Sequence, residues 1–250
     1  MSLDFKSSLN ITHIGTVTAI FEIDGVNLLT DPFFSPAGTE WDVSVVVIKN
    51  SDTPALGLHD LPPIEGVFLS HEDHPDNLDE LGRRLLDGRK VITTMDGTKQ
   101  LHPRPGVRGI RPWETVLLEV GGKGECTGFI LTAPEFGSTD GLPNAIYFSG
   151  DTVYIEELAE MCNKFHIVVA VLNLGAAKAP LPDGPLQITM DGKQAARLFR
   201  EIKADILVPM HYESWNHFTQ FGKELAKVFE EEGIQDKVCW LTPGVSKKVI

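Results

Sequence analysis

Basic residues are scarce in this chain. Lys and Arg number 22 against 35 Asp and Glu, a formal net charge of -13 at pH 7. A surface of that sign repels a phosphate backbone, and the clearest basic groups, Arg83-Arg84 and Lys247-Lys248, are short, so no nucleic-acid partner is expected. Cysteine is scarcer still. Cys126, Cys162 and Cys239 are odd in number, lie far apart and form no CxxC pair. This excludes a disulfide framework and fits a reducing compartment. Long apolar runs are also missing. No window approaches the length of a bilayer span, and residues 1–10 hold no apolar stretch of the kind a secretory leader needs. Internal repeats and low-complexity linkers are lacking as well. Together these absences predict a cytoplasmic protein with neither a nucleic-acid nor a membrane partner.

What is present is an ordinary globular composition, 42% hydrophobic and 23% charged over 250 residues. The expectation is one domain over residues 1–250. Short β-branched runs at Leu9–Ile14, Val17–Ile23 and Asn27–Thr30 read as strands, with Asp24-Gly25 as a hairpin turn. Val43–Ile48 and Gly66–Ser70 are near-continuous apolar runs, as in strands covered on both faces. Asp76–Asp87 has helical spacing, with Leu78, Leu81, Leu85 and Leu86 on one face, and Lys90–Thr94 reads as a strand. In the second half, Thr115–Val120, Thr127–Thr132, Ala145–Ser149, His166–Leu174, Ala204–Met210 and Val238–Leu241 read as strands. Ile155–Phe165, Asp191–Ile202 and Phe218–Glu232 read as helices. Strands first and β-α alternation later, in both halves, predict an α/β fold: an αββα four-layer sandwich with an internal pseudo-duplication.

The chemistry gathers where apolar runs stop. Val67-Phe68-Leu69 leads into Ser70-His71-Glu72-Asp73-His74-Pro75-Asp76-Asn77, two histidines and several carboxylates within seven residues. Imidazole nitrogen and carboxylate oxygen suit zinc, and a strand end delivers such ligands into a loop. The competing reading is a solvated turn, since His, Asp, Asn and Pro all favour turns. Three further runs end the same way: Leu28–Thr30 in Asp31-Pro32, Ala145–Ser149 in Gly150-Asp151-Thr152, and Ile206–Met210 in His211-Tyr212-Glu213. Taken alone, Asp151 is equally an N-cap for the following helix, His211 a core histidine and Asp31 a loop tie. In α/β folds sites collect beyond strand C-termini, which is the reason to read the four together. His59 and His102 lie in Pro- and Gly-rich loops and read as solvated.

The order of these segments resembles the metallo-β-lactamase superfamily. Thr12-His13-Ile14-Gly15, Leu29-Thr30-Asp31-Pro32, Leu69-Ser70-His71, Gly150-Asp151-Thr152 and Val208-Pro209-Met210-His211 are similar to the branch containing the ascorbate-6-phosphate lactonases, from about Leu9 to Gly244. The resemblance implies metal-assisted hydrolysis with zinc, sometimes manganese. It also implies His71, His74, Asp76, Asp151 and His211 as metal ligands, with Asp76 orienting or deprotonating the attacking water. Two positions depart from the family. Its HxHxDH motif is here stretched by one residue and ends in Asn77, whose amide is a candidate oxyanion donor. Its middle histidine falls at Phe136, in Pro134-Glu135-Phe136-Gly137, and a phenyl ring cannot ligate. The expectation is therefore one ion rather than two.

Two functions follow. One is a metal-dependent hydrolase of a small molecule (a lactone, amide or phosphoester), with His74, Asp76 and Asn77 at the reacting centre and Tyr212, Trp215 and Phe136 as an apolar wall. The other, favoured by Phe136 and Asn77, is a metal-poor, non-catalytic relative acting as a binding protein.

Overall fold

A computed structural model describes residues 5–42, 47–114, 128–180 and 184–250. In chain order the strands are β1 Leu9–Gly15, β2 Thr18–Ile23, β3 Val26–Thr30, β4 Glu40–Asp42, β5 Val47–Lys49, β6 Gly66–Phe68, β7 Lys90–Thr94 and β8 Val107–Ile110. They continue as β9 Phe129–Leu131, β10 Ser138–Thr139, β11 Leu142–Phe148, β12 His166–Asn173, β13 Lys178–Ala179, β14 Leu186–Gln187, β15 Ile206–Met210 and β16 Lys247–Lys248. The α-helices are α1 Glu80–Leu85, α2 Met95–Gln100, α3 Gly192–Glu201 and α4 Gly222–Glu231. These elements fall into two compact units that interleave along the chain.

The first unit comprises Ser7–Thr39, Asn50–Phe129 and Leu241–Ile250. Its seven-stranded sheet has the order β16-β1-β2-β3-β6-β7-β8. The β1-β2-β3 meander is antiparallel, and β3, β6, β7 and β8 run parallel. Asp24 and Gly25 both take positive φ, as the tight β2-β3 turn requires. Leu29, Val67 and Val91 from the sheet pack with Leu78, Leu85 and Leu86 in one buried cluster. Because β3 and β6 are parallel neighbours, Thr30 pairing with Phe68, Asp31 and Ser70 emerge side by side.

The second unit comprises Met1–Lys6, Glu40–Lys49 and Ile130–Trp240. Its sheet orders β10-β11-β12-β15, with β9 also pairing β11. Strands β11, β12 and β15 are parallel, so their C-terminal ends line one edge of the sheet. Pro209 is tolerated within β15 because that strand closes the order. Ala195, Leu198 and Phe199 of α3 and Leu225 and Phe229 of α4 pack on Ala145, Tyr147, Ala170 and Leu172.

Several boundaries differ from the sequence reading. The helix expected over Asp76–Asp87 forms only at Glu80–Leu85, because Asp79 caps it and residues 76–78 stay in the loop. The segment Ile155–Phe165 is a 3₁₀ helix over Glu156–Asn163, not an α-helix. Val238–Leu241 makes one bridge, Val238 to Leu207, instead of a strand. Short helix α2 and strands β8 and β16 were not anticipated. The expected strand Thr115–Val120 and most of Val43–Ile48 lie outside the described residues.

Asp79 does more than cap α1. Its Oδ1 accepts from the Gly82 backbone N–H at 2.7 Å, and its Oδ2 from the Phe34 N–H at 3.0 Å and the Ser35 hydroxyl at 2.6 Å. The carboxylate thereby joins the helix start to the loop after β3. A side chain on Gly82 would put its Cβ 1.8 Å from the Pro32 carbonyl oxygen, so the helix sits against that loop with no room between. Losing a cap and two charge-assisted bonds in the interior predicts that Asp79→Ala lowers stability by about 3 kcal/mol. Urea unfolding of the full chain checks this; a loss below about 1 kcal/mol would contradict the assignment.

Candidate functional site

In the first unit the histidine loop is built outward from Asp31. Asp31 is fully buried and takes φ 32°, a reversal at the end of β3 that Asp tolerates better than most residues. Its carboxylate accepts the Ser70 backbone N–H at 2.6 Å. The Asn77 amide nitrogen lies 3.5 Å from the other carboxylate oxygen and 3.2 Å from Ser70 Oγ. Ser70 Oγ lies 2.9 Å from His71 Nδ1. That hydrogen bond engages one ring nitrogen of His71 and leaves Nε2 as the one suited to a metal. The rings of His71 and His74 lie 6.4 Å apart between centroids. His74 Nδ1 is hydrogen-bonded to the carboxylate of Asp76, which is 1% exposed.

Two more side chains of this loop are held from within the first unit. Glu72 is held by Arg83, at 3.0 Å to its carboxylate, and Arg83 also donates to the Glu72 carbonyl. Glu72 is thus committed to an ion pair with Arg83. Asn77 is completely buried with its amide hydrogens turned into the loop. Its amide nitrogen thus faces Ser70 and Asp31 within the loop. His13, on β1, spends Nε2 on the Thr16 carbonyl at 3.0 Å.

In the second unit Asp151 and His211 follow β11 and β15. Gly150 and His211 take φ 57° and 53°, so each chain reverses as its strand ends. A histidine in the left-handed region is uncommon, and such strain concentrates at functional sites. His211 is 1% exposed and packs edge-on against Phe218, 4.8 Å between centroids. Its Nε2 lies 3.6 Å from Asp151 Oδ2. That is beyond a good hydrogen bond. It is close to the roughly 3.3 Å separating two donor atoms on one tetrahedral ion with metal–donor distances of about 2 Å. The donor set, imidazole with carboxylate, also suits zinc or manganese. Asp151 does not cap the following helix, whose N-cap is Ile155. Its Oδ1 instead accepts from the Asn173 amide at 2.8 Å.

The three aromatic side chains of the expected wall each have a ring partner. Phe136 is buried in a 3₁₀ turn and stacks on Phe5, 4.7 Å between centroids. Trp215 is buried against Trp41 at 5.7 Å, and Tyr212 packs edge-on against Trp240 at 5.7 Å. Burial, with the charge of Glu213, pushes the Tyr212 phenol up to about 12. Glu135, beside Phe136, is exposed. Sequence reasoning missed Asn173 altogether, because it closes an apolar strand and reads as part of it.

Comparison with known proteins agrees with this architecture. Residues 26–212 match the model of the beta-lactamase superfamily domain. A UPF0173 metal-dependent hydrolase of Methanopyrus kandleri is 24% identical, over 95% of this chain and 99% of the relative. Among solved structures, the isothiocyanate hydrolase from Delia radicum gut bacteria superposes with a TM-score of 0.76 at 20% identity, covering 95% of this chain and 98% of that one. The metallo-beta-lactamase fold protein YhfI of Bacillus subtilis gives 0.58 at 14% identity, covering 97% and 100%. The α/β metallo-β-lactamase fold expected from the sequence is the fold of this chain, which belongs to the beta-lactamase superfamily.

Proposed function

We propose that this protein is a metal-dependent hydrolase of a small molecule. Its metal would be held by donors among His71, His74, Asp76, Asp151 and His211. The observation that carries the reading is the Asp151–His211 pair: two ligand-type atoms 3.6 Å apart, on reversed strand ends, one of them in a buried ring. The name of the Methanopyrus relative, a metal-dependent hydrolase covered almost end to end, supports the same reaction class. Zinc fits the donors best and manganese is the alternative.

When bound, such an ion acts as a Lewis acid and lowers the pKa of its water. The remaining work belongs to the chain. Asp76 fixes the orientation of the His74 ring through Nδ1, leaving Nε2 as the ring's outward donor. The same carboxylate is our assignment for taking the proton released as water attacks. Asp31, Ser70 and Asn77 keep the loop in register so that these two side chains need no rearrangement before reaction. Lactones, amides and phosphoesters are the substrate classes proposed. Isothiocyanates join them because a protein of similar fold hydrolyses them.

Phe136 stands where the family places an imidazole, and its ring is committed to Phe5. Asn77 is committed to Ser70 and Asp31. These two substitutions favour one ion per chain, since neither side chain supplies a second set of donors. Phe136→Ala is expected to lower stability by about 3 kcal/mol or more, as for other buried phenyl deletions, while leaving the metal content of the folded protein unchanged. Unfolding curves paired with elemental analysis check this; a fall in bound metal would make the Phe136 position part of the centre.

The hydrolase reading predicts that His74→Ala and His211→Ala each abolish turnover on a panel of these four substrate classes while the far-ultraviolet circular dichroism is retained. Chelator should lower the melting temperature of the wild type, because an ion bound only by the native state stabilises it by mass action. A metal-free wild type whose melt ignores chelator, with no turnover on the panel, would instead favour the non-catalytic binding protein.

A further inference from the structure

Resting on the metal-hydrolase reading, we propose that Asn173 is the positioning residue that fixes how Asp151 presents itself to the metal. Strand β12 lies between β11 and β15, and Asn173 is its last residue, paired in register with Met210, the residue before His211. It therefore stands between the strand end that bears Asp151 and the one that bears His211. Asn173 is completely buried. Its backbone N–H donates to Ser149 Oγ at 2.9 Å, and the next residue, Leu174, donates to the Met210 carbonyl at 2.9 Å. The backbone that carries this side chain is thus anchored from both neighbouring strand ends.

The amide makes one directed contact, Nδ2 to Asp151 Oδ1 at 2.8 Å. Its own Oδ1 is buried with no hydrogen-bond partner among the described residues. The opposite amide orientation would set that oxygen against a carboxylate oxygen, so the nitrogen is the end that Asp151 selects. An asparagine here gives up one acceptor in order to place one donor. The consequence is an Asp151 with distinct oxygens: Oδ1 tied to Asn173, and Oδ2 turned towards His211 Nε2. A neutral donor suits the task. A lysine or arginine would neutralise the carboxylate's charge, and an aspartate would repel it. Residues that hydrogen-bond a metal-binding carboxylate from behind tune affinity by about 10- to 100-fold when removed.

The test uses the full-length chain with zinc and with cobalt(II) as probes. Zinc affinity is measured by competition with a chromophoric chelator, and the visible spectrum of the cobalt form reports coordination. Asn173→Ala and Asn173→Ser, which shorten the side chain beyond reach of Asp151, are expected to weaken zinc at least tenfold and to shift the cobalt bands. Asn173 acting only as packing would lower the melting temperature of the metal-free protein and leave affinity and spectrum unchanged, which would overturn the proposal. Should neither variant fold, the wild type labelled with ¹⁵N-asparagine decides. The Asn173 side-chain amide resonance is expected to move when zinc is added; an unmoved resonance would overturn the proposal. His211→Ala and the wild type serve as controls for the reading beneath it. A wild type that takes up no zinc fails that reading, and the proposal with it, whereas zinc bound equally by wild type and both variants fails the proposal alone.

Discussion

The histidine loop depends on one buried carboxylate. Asp31 lies wholly out of solvent, and a charge there is tolerable only when its oxygens are paired. It finds its partner in the Ser70 backbone at 2.6 Å, the first residue of the loop that carries His71, His74 and Asp76. The order runs from Asp31 to Ser70, from Ser70 to His71, and from Asn77 back to both. Parallel pairing of β3 with β6 makes it possible, since it brings two strand ends out at the same edge of the sheet. Asn173 plays the corresponding part in the other unit. It too is a buried polar side chain at a strand end, hydrogen-bonded to a carboxylate just beyond the end of the neighbouring strand. In both units a polar group out of solvent holds the strand-end segment that carries the proposed donors.

The departures from the family motif become intelligible in these terms. With Asn77 in place of the last histidine of the motif, the position turns inward and fastens the loop. With Phe136 in place of the middle histidine, the position joins the Phe5 stack. Neither position supplies an imidazole; Asn77 bonds within the loop and Phe136 packs on a neighbouring ring. Both positions thus agree with the single ion that we propose. Arg83 contributes to the same end by tying Glu72 away from the donors.

Much of this was legible in the sequence, because a buried strand that stops at a cluster of imidazoles and carboxylates changes character within one residue. Leu69-Ser70-His71, Gly150-Asp151 and Met210-His211 all have that form. So did the β2-β3 turn, where Asp24-Gly25 requires positive φ. What sequence could not give was long-range capping and pairing. Residues 76–78 share the apolar spacing of a helix, yet Asp79 stops the helix from starting earlier by bonding to Gly82 and to the distant Phe34. Helix α2 is polar and shows no apolar face to read, and β16 is two lysines that become a strand only by pairing with β1. Asn173 closes an apolar run, and nothing local marks it; its importance lies in Asp151, twenty-two residues earlier in the chain.

The claim on which the account rests is a single metal ion per chain, and elemental analysis of the full-length protein, purified without chelator and dialysed against metal-free buffer, measures it directly. The account predicts about one equivalent of zinc or manganese, lost in Asp151→Ala and in His211→Ala, as expected when each removes a donor from the same ion. Two equivalents in the wild type, or one equivalent undiminished in both variants, would contradict it.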